Sequence, residues 1–306
     1  MQQKTPHKAT KSWQAWWQQH LPKIVLAPSM TLILVFVYGF IAWTAWISFS
    51  SSRMLPNYNF DGLTAYEKLW RTFNWLTSLE NLAVFGILYI VICTGLGLLL
   101  AILLDQKIRF EGLLRPIFLY PMAVSFIVTG TAWKWFLNPG LGLEKTMQTL
   151  GWSSFKFDWL INPDMAIYTV VIAGVWQTSG FVMAMFLAGL RGIDQEQIKA
   201  AQLDGASMPK IYWRIIIPQL RPLFLSVFII LSHMAIKSYD LVIALTGGGP
   251  GNATSLPATF MYSYTFSRNQ MAVGSASAMI MLMTIAAIII PYLYSELKQS
   301  KGGSHG

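Results

Sequence analysis

Residues 199 to 218 read Lys199-Ala-Ala-Gln-Leu-Asp-Gly-Ala-Ser-Met-Pro-Lys-Ile-Tyr-Trp-Arg-Ile-Ile-Ile-Pro218. Helix formers run up to Asp204-Gly205, where the helix breaks. Pro209 suits the first turn of a second short helix, because the N–H it lacks has no partner there. The stretch is charged and glycine-hinged, lies between two long apolar segments and returns to the second at Pro218. This is the pattern of a small helix–turn–helix standing just outside a membrane.

Composition supports a membrane setting. Of 306 residues, 54% are hydrophobic, 14% aromatic and only 11% charged, too apolar for a water-soluble domain of this length. Six stretches reach the roughly 20 apolar residues that a spanning helix needs: about 24–48, 82–104, 116–137, 166–190, 222–245 and 271–294. An even number of spans puts both ends on one side. The formal net charge of +9 would suit nucleic acid, but its distribution argues for membrane orientation instead. Lys4, Lys8, Lys11, Lys23, Lys107, Arg109, Arg115, Arg191, Lys199, Lys210, Arg214, Arg221, Lys298 and Lys301 fall on one side. Arg53, Lys68, Arg71, Lys145, Lys156 and Arg268 fall on the other. The positive-inside rule then predicts both termini and the 199–218 loop in the cytoplasm.

The expected organisation follows. Residues 1–23 form a basic cytoplasmic tail in which Trp13, Trp16, Trp17 and Leu21 recur at helical spacing, as in an interfacial amphipathic helix. Residues 24–80 hold the first span and an external loop; that span is too long for a signal peptide and no small-residue cleavage site follows it. Residues 81–295 hold five further spans, with the charged loop at about 191–221, and 296–306 form a small polar tail. Cys93 is the one cysteine, so no intrachain disulfide is expected. Zinc-protease, nucleophile-elbow and paired-cysteine motifs are absent, which excludes the enzyme classes they mark. The glycine run 247–251 lacks the Lys-Ser/Thr ending of a nucleotide loop and reads as a tight external turn.

The loop resembles the EAA loop of the membrane subunits of ATP-binding-cassette (ABC) importers. Ala200, Ala201, Gly205, Ile215 and Pro218 fall at that motif's spacings, and Asp204-Gly205-Ala206-Ser207 with Leu190, Gly192 and Ile193 sharpen the likeness to sugar-type importers. Lys199 stands where the motif has glutamate, and Ile217 replaces leucine; Glu196, one turn earlier, is placed to substitute for the acid. Further likeness lies in Tyr120-Pro121, Ser125 and Asn138-Pro139-Gly140, in the turn Thr246 to Thr254, and in Gly274-Ser275-Ala276-Ser277-Ala278, whose small residues permit close helix approach. Ile236 to Asp240, Phe260 to Arg268 and Pro291 to Leu297 are most similar to the glucose/mannose permeases of this class.

The resemblance implies an all-α membrane protein with six transmembrane helices in the MetI-like fold of type I importers, acting as a permease by alternating access and hydrolysing nothing itself. It implies a second permease subunit, a dimer of ABC ATPases that holds the ATP and Mg²⁺, a periplasmic sugar-binding protein, and no cofactor on this chain. The ATPase-coupling set is then Glu196, Lys199, Ala200, Ala201, Asp204, Gly205, Ala206, Pro209 and Pro218.

Polar groups inside spans mark the second site. Lys237 and Asp240, three apart on one helical face and roughly 22 Å from the cytoplasmic edge, read either as a self-neutralising pair or, with Ser238 and Tyr239, as the lining of a sugar path. Trp176, Gln177, Thr178 and Ser179 supply a polar break in the preceding span, with Gln177 the more telling because Ser and Thr often bond their own backbone. Lys134 is expected to snorkel, and His233 to be packed. An ion-coupled secondary transporter using Lys237 and Asp240 is the alternative from another class; glycerol phosphate and oligosaccharides are alternative solutes.

Overall fold

The computed structural model describes residues 13–106 and 111–302, with side chains described over 20–106 and 111–294. The chain is helical, with one isolated antiparallel bridge, Ser50 to Phe60, among the described residues. In order the helices are α1 (Trp13–Leu32), α2 (Gly39–Ser48), α3 (Thr64–Arg71), α4 (Phe73–Asp105), α5 (Glu111–Ala123), α6 (Phe126–Phe136), α7 (Leu143–Thr149), α8 (Ala166–Arg191), α9 (Gln195–Leu203), α10 (Met208–Ile211), α11 (Ile217–Gln219), α12 (Arg221–Ile236), α13 (Asp240–Leu245), α14 (Pro257–Tyr262) and α15 (Met271–Gly302). Short π-helical turns, Ile33–Tyr38, Tyr212–Ile216 and Ser263–Ser267, interrupt three of the longer runs.

Among the described residues, four helices are long and apolar enough to cross a membrane: His20–Ser48, Phe73–Asp105, Ala166–Arg191 and Met271–Tyr294. Counting each bent pair as one span, α5 with α6 at 99° and Met208–Gln219 with α12 at 65°, gives up to six. The continuous spans expected over 116–137 and 222–245 are corrected: the first bends between α5 and α6, and the second stops at Ile236 and resumes at Asp240, while the 65° bend lies just before it, at Leu220. The second long helix starts at Phe73 rather than near 82, because Phe73 to Asn81 continue its period without a breaker. The amphipathic face expected around Trp13, Trp16 and Trp17, the lysines before Lys23, and the tail beyond Gly302 lie outside the described side chains or residues.

Helix α8 is the axis of the core. Its apolar residues circle the whole helix, which favours burial on all sides, and its spanning stretch is the most buried of the four. Helix α4 packs along it, brought close by Gly97, where a Cβ would stand 2.5 Å from Val182 Cγ1. Helix α5 crosses α8 at Gly180, where any Cβ would collide with the Phe118 carbonyl oxygen. In a lipid solvent such small-residue contacts draw helices together where the hydrophobic effect supplies no drive between them. A second cluster forms where α3, the start of α4 and α14 meet the start of α15: Phe260 stacks on Tyr264 with Trp75 tilted against it, and Gly274 lets the Thr265 side chain in against α15.

The first break has a local cause. Pro121 removes a helical N–H, and Ser125, extended at φ −66° and ψ 150°, caps α6 by accepting from the Val128 N–H at 3.3 Å. The second break, at Lys237 to Tyr239, contains neither glycine nor proline. It is made by packing: α13 lies against α6, where a Cβ on Gly130 would stand 2.7 Å from Ala244 Cβ.

Candidate functional site

Two sites rest on this frame. At one end of the bundle, α9 opens with Asp194, whose carboxylate accepts from the Glu196 N–H at 2.9 Å, an N-cap that satisfies an orphan donor. Along α9, Ile198 and Ala201 pack inward with Ala206 beyond the turn, while Glu196, Lys199, Ala200 and Asp204 face out. Leu203 is 90% exposed at the tip. Gly205 makes the turn at φ +77° with open space around it, a conformation that costs other residues strain. Pro209 sits in the first turn of α10. Gln219 Nε2 donates to Gln197 Oε1 at 3.0 Å, tying α9 back to α11. Pro218 borders an apolar groove with Trp213, Ile217 and Phe224. The helix–turn–helix of the sequence is thus present, and its outward face is a charged surface with one bare leucine.

The second site is a cavity of about 140 Å³ at the second break, lined by Lys237, Ser238, Tyr239 and Asp240 with His233 and the rings of Phe85, Tyr89 and Phe126. Lys237 caps α12 and Asp240 opens α13, so the residues expected on one helical face straddle a break. They do not pair: the ion pairs among the described residues join Arg191 to Asp105 and Glu111. His233 is exposed toward the cavity rather than packed. Tyr89 donates to Thr178 Oγ1 at 2.8 Å, fixing its ring at the cavity wall.

The Trp176 to Ser179 group divides. Trp176 is 43% exposed and meets Trp133 edge-on at 5.9 Å beside a second, largely apolar cavity of about 270 Å³. Gln177 is buried and donates from Nε2 to the Val124 carbonyl at 2.7 Å, catching one of the backbone groups freed by the first break. Ser179 is half-buried on the same helix. Sequence reading did not find His233, Phe85, Tyr89 and Phe126 as cavity lining, since three are ordinary apolar-span residues and only the break brings them together. At the far end Gly247, Gly248 and Gly251 adopt positive φ in a tight turn, as read. Asn81 Nδ2 donates to the carbonyls of Asn252 and Ser255.

Residues 93–299 match the family model described as the inner membrane component of binding-protein-dependent transport systems. A probable ABC transporter permease of Pyrococcus horikoshii is 41% identical over 91% of this chain and 97% of its own. The xylose/arabinose import permease XacH of Haloferax volcanii is 37% identical over 88% of this chain and 85% of its own. The trehalose/maltose permease MalF of Thermococcus litoralis is 31% identical over 88% and 91%. In fold, the chain matches a crystal structure of a bacterial ABC transporter for alginate import with a TM-score of 0.80, covering 94% of this chain and 98% of that one at 17% identity. The chain belongs to the membrane-embedded permeases of binding-protein-dependent ABC transport systems.

Proposed function

We propose that this chain is one of two permease subunits of a sugar importer and that its solute is a monosaccharide of the glucose or mannose kind. Both termini and α9–α10 face the cytoplasm, as the basic-residue bias supports. A dimer of ABC ATPases, carrying ATP and Mg²⁺, receives the outward face of α9 through Leu203, Glu196 and Lys199. Closure of the ATPases pushes the Gly205-hinged helices, and the spans switch the cavity from the periplasm, where a sugar-binding protein delivers cargo, to the cytoplasm.

The observation that carries the proposal is the cavity at Lys237 to Asp240. It combines charged hydrogen-bond groups with aromatic faces, the pairing that recognises polyols. The broken backbone there is tolerable at membrane depth because it borders a cavity. Trp176 and Ser179 extend the path on α8, and Gln177 supports it from behind. The sugar named for the Haloferax permease is of the same size class. A second reading, glycerol phosphate, draws on Lys237 and His233 in the cavity and on 27% identity to a permease named for that solute in Agrobacterium fabrum. The test is uptake by proteoliposomes containing the complete transporter and its binding protein. ATP-dependent uptake of labelled glucose or mannose, insensitive to a protonophore, is expected. Uptake confined to glycerol phosphate or to oligosaccharides overturns the solute, and uptake that follows the proton gradient overturns the mechanism.

A further inference from the structure

Helix α5 is joined to α8 at three levels. At the α9 end, Arg191 Nη2 lies 2.5 Å from Glu111 Oε1, and its Nε lies 4.0 Å from Asp105 Oδ1. Halfway along, Gly180 meets the Phe118 backbone with no room for a Cβ. At the far end Gln177 holds the Val124 carbonyl at 2.7 Å, beside the 99° bend into α6. Helix α5 is thus held against α8 at both ends and at its middle. Arg191 ends α8 and is followed, across Gly192 to Asp194, by α9 itself. Beside it, Gln106 Nε2 donates to the Tyr212 hydroxyl at 3.2 Å, a second tie from the helix–turn–helix to the end of α4.

We propose that Arg191 is a positioning residue for energy coupling. It gathers the ends of α4, α5 and α8, so that displacement of α9 moves α5 and α8 as one lever and is delivered at the Val124–Ser125 bend. The proposal rests on the coupling role assigned above to α9–α10. Arg191 is suited to it because a planar guanidinium can hold two carboxylates at once, whereas an ammonium on a flexible stem holds them loosely. The contacts are partly exposed and worth little to stability, so they act on how motion is shared rather than on whether the chain folds.

The experiment compares ATP hydrolysed per solute imported in proteoliposomes of the complete transporter. Arg191→Gln is expected to raise that ratio about two- to tenfold, with the complex's melting temperature unchanged, and Arg191→Lys to fall between. A variant carrying Arg191→Cys and Glu111→Cys should be equally uncoupled and should recover on reaction with a short bifunctional thiol linker, while either single variant should not. If Arg191→Gln keeps the wild-type ratio, or if the linker arrests transport instead of restoring it, the lever is overturned. Should Arg191→Gln fail to assemble, the linked double variant decides alone. An error in the coupling role itself would appear in the unmodified protein, as uptake without an ATPase, before any variant is compared.

Discussion

Helices α4 and α8 run unbroken from Phe73 to Asp105 and from Ala166 to Arg191, whereas the α5–α6 and α12–α13 segments stop halfway. The unbroken pair satisfies its own backbone and contacts through Gly97 and a buried apolar seam. The broken segments leave carbonyls and N–H groups at membrane depth, and these find partners: the Val124 carbonyl in Gln177, the α6 start in Ser125, and the Lys237 and Ser238 N–H groups in the carbonyls of His233 and Ala235. Unbroken backbone and broken backbone are thus sorted into different helices. The intact pair is the frame and gives the cavity its Phe85 and Tyr89 rings, while the interrupted segment supplies its charged groups, Lys237 and Asp240.

The division can be broken most severely at the frame. Gly180→Val drives carbon into the Phe118 backbone, which no side-chain rotation relieves. It should destabilise by about 3 kcal/mol or more, read as loss of assembled transporter in detergent by size-exclusion chromatography. Gln177→Leu keeps the volume but strands the Val124 carbonyl, at about 1–3 kcal/mol, seen as a lower melting temperature of the complex. Gly205→Leu strains a positive φ in an open loop by about 1–2 kcal/mol; insertion should survive while uptake and solute-stimulated ATPase disappear. Intact uptake in that variant would refute the lever at α9–α10. The smallest structural effect belongs to Lys237→Met. An exposed cavity residue should change stability by less than about 0.5 kcal/mol, yet raise the solute concentration for half-maximal uptake about tenfold, as expected for a lost charged hydrogen bond.

The helix–turn–helix was legible because its signals are local: the break at Asp204-Gly205 and Pro209 in a first turn each act within a few residues, whereas the Asp194 cap was not read. The apolar spans were legible from length. The breaks were not read. Pro121 and the cap at Ser125 do mark the first in sequence, but an apolar run on both sides of them resembles one continuous span. The second has no local mark, since α13 is set by its seat against Gly130 on α6. That is why Lys237 and Asp240 were expected to face each other along one helix, and why His233 was expected inside a packed wall. Periodicity places a side chain only where the helix continues.

At the crossing of Gly180 and Phe118, main chain rests on main chain, so the closest approach of those two helices is set by backbone rather than by side chains. A chassis built this way leaves residues 176 and 237–240, the sugar path proposed above, to change with the cargo without moving that crossing. It also means that re-engineering such a transporter should begin by leaving one glycine alone.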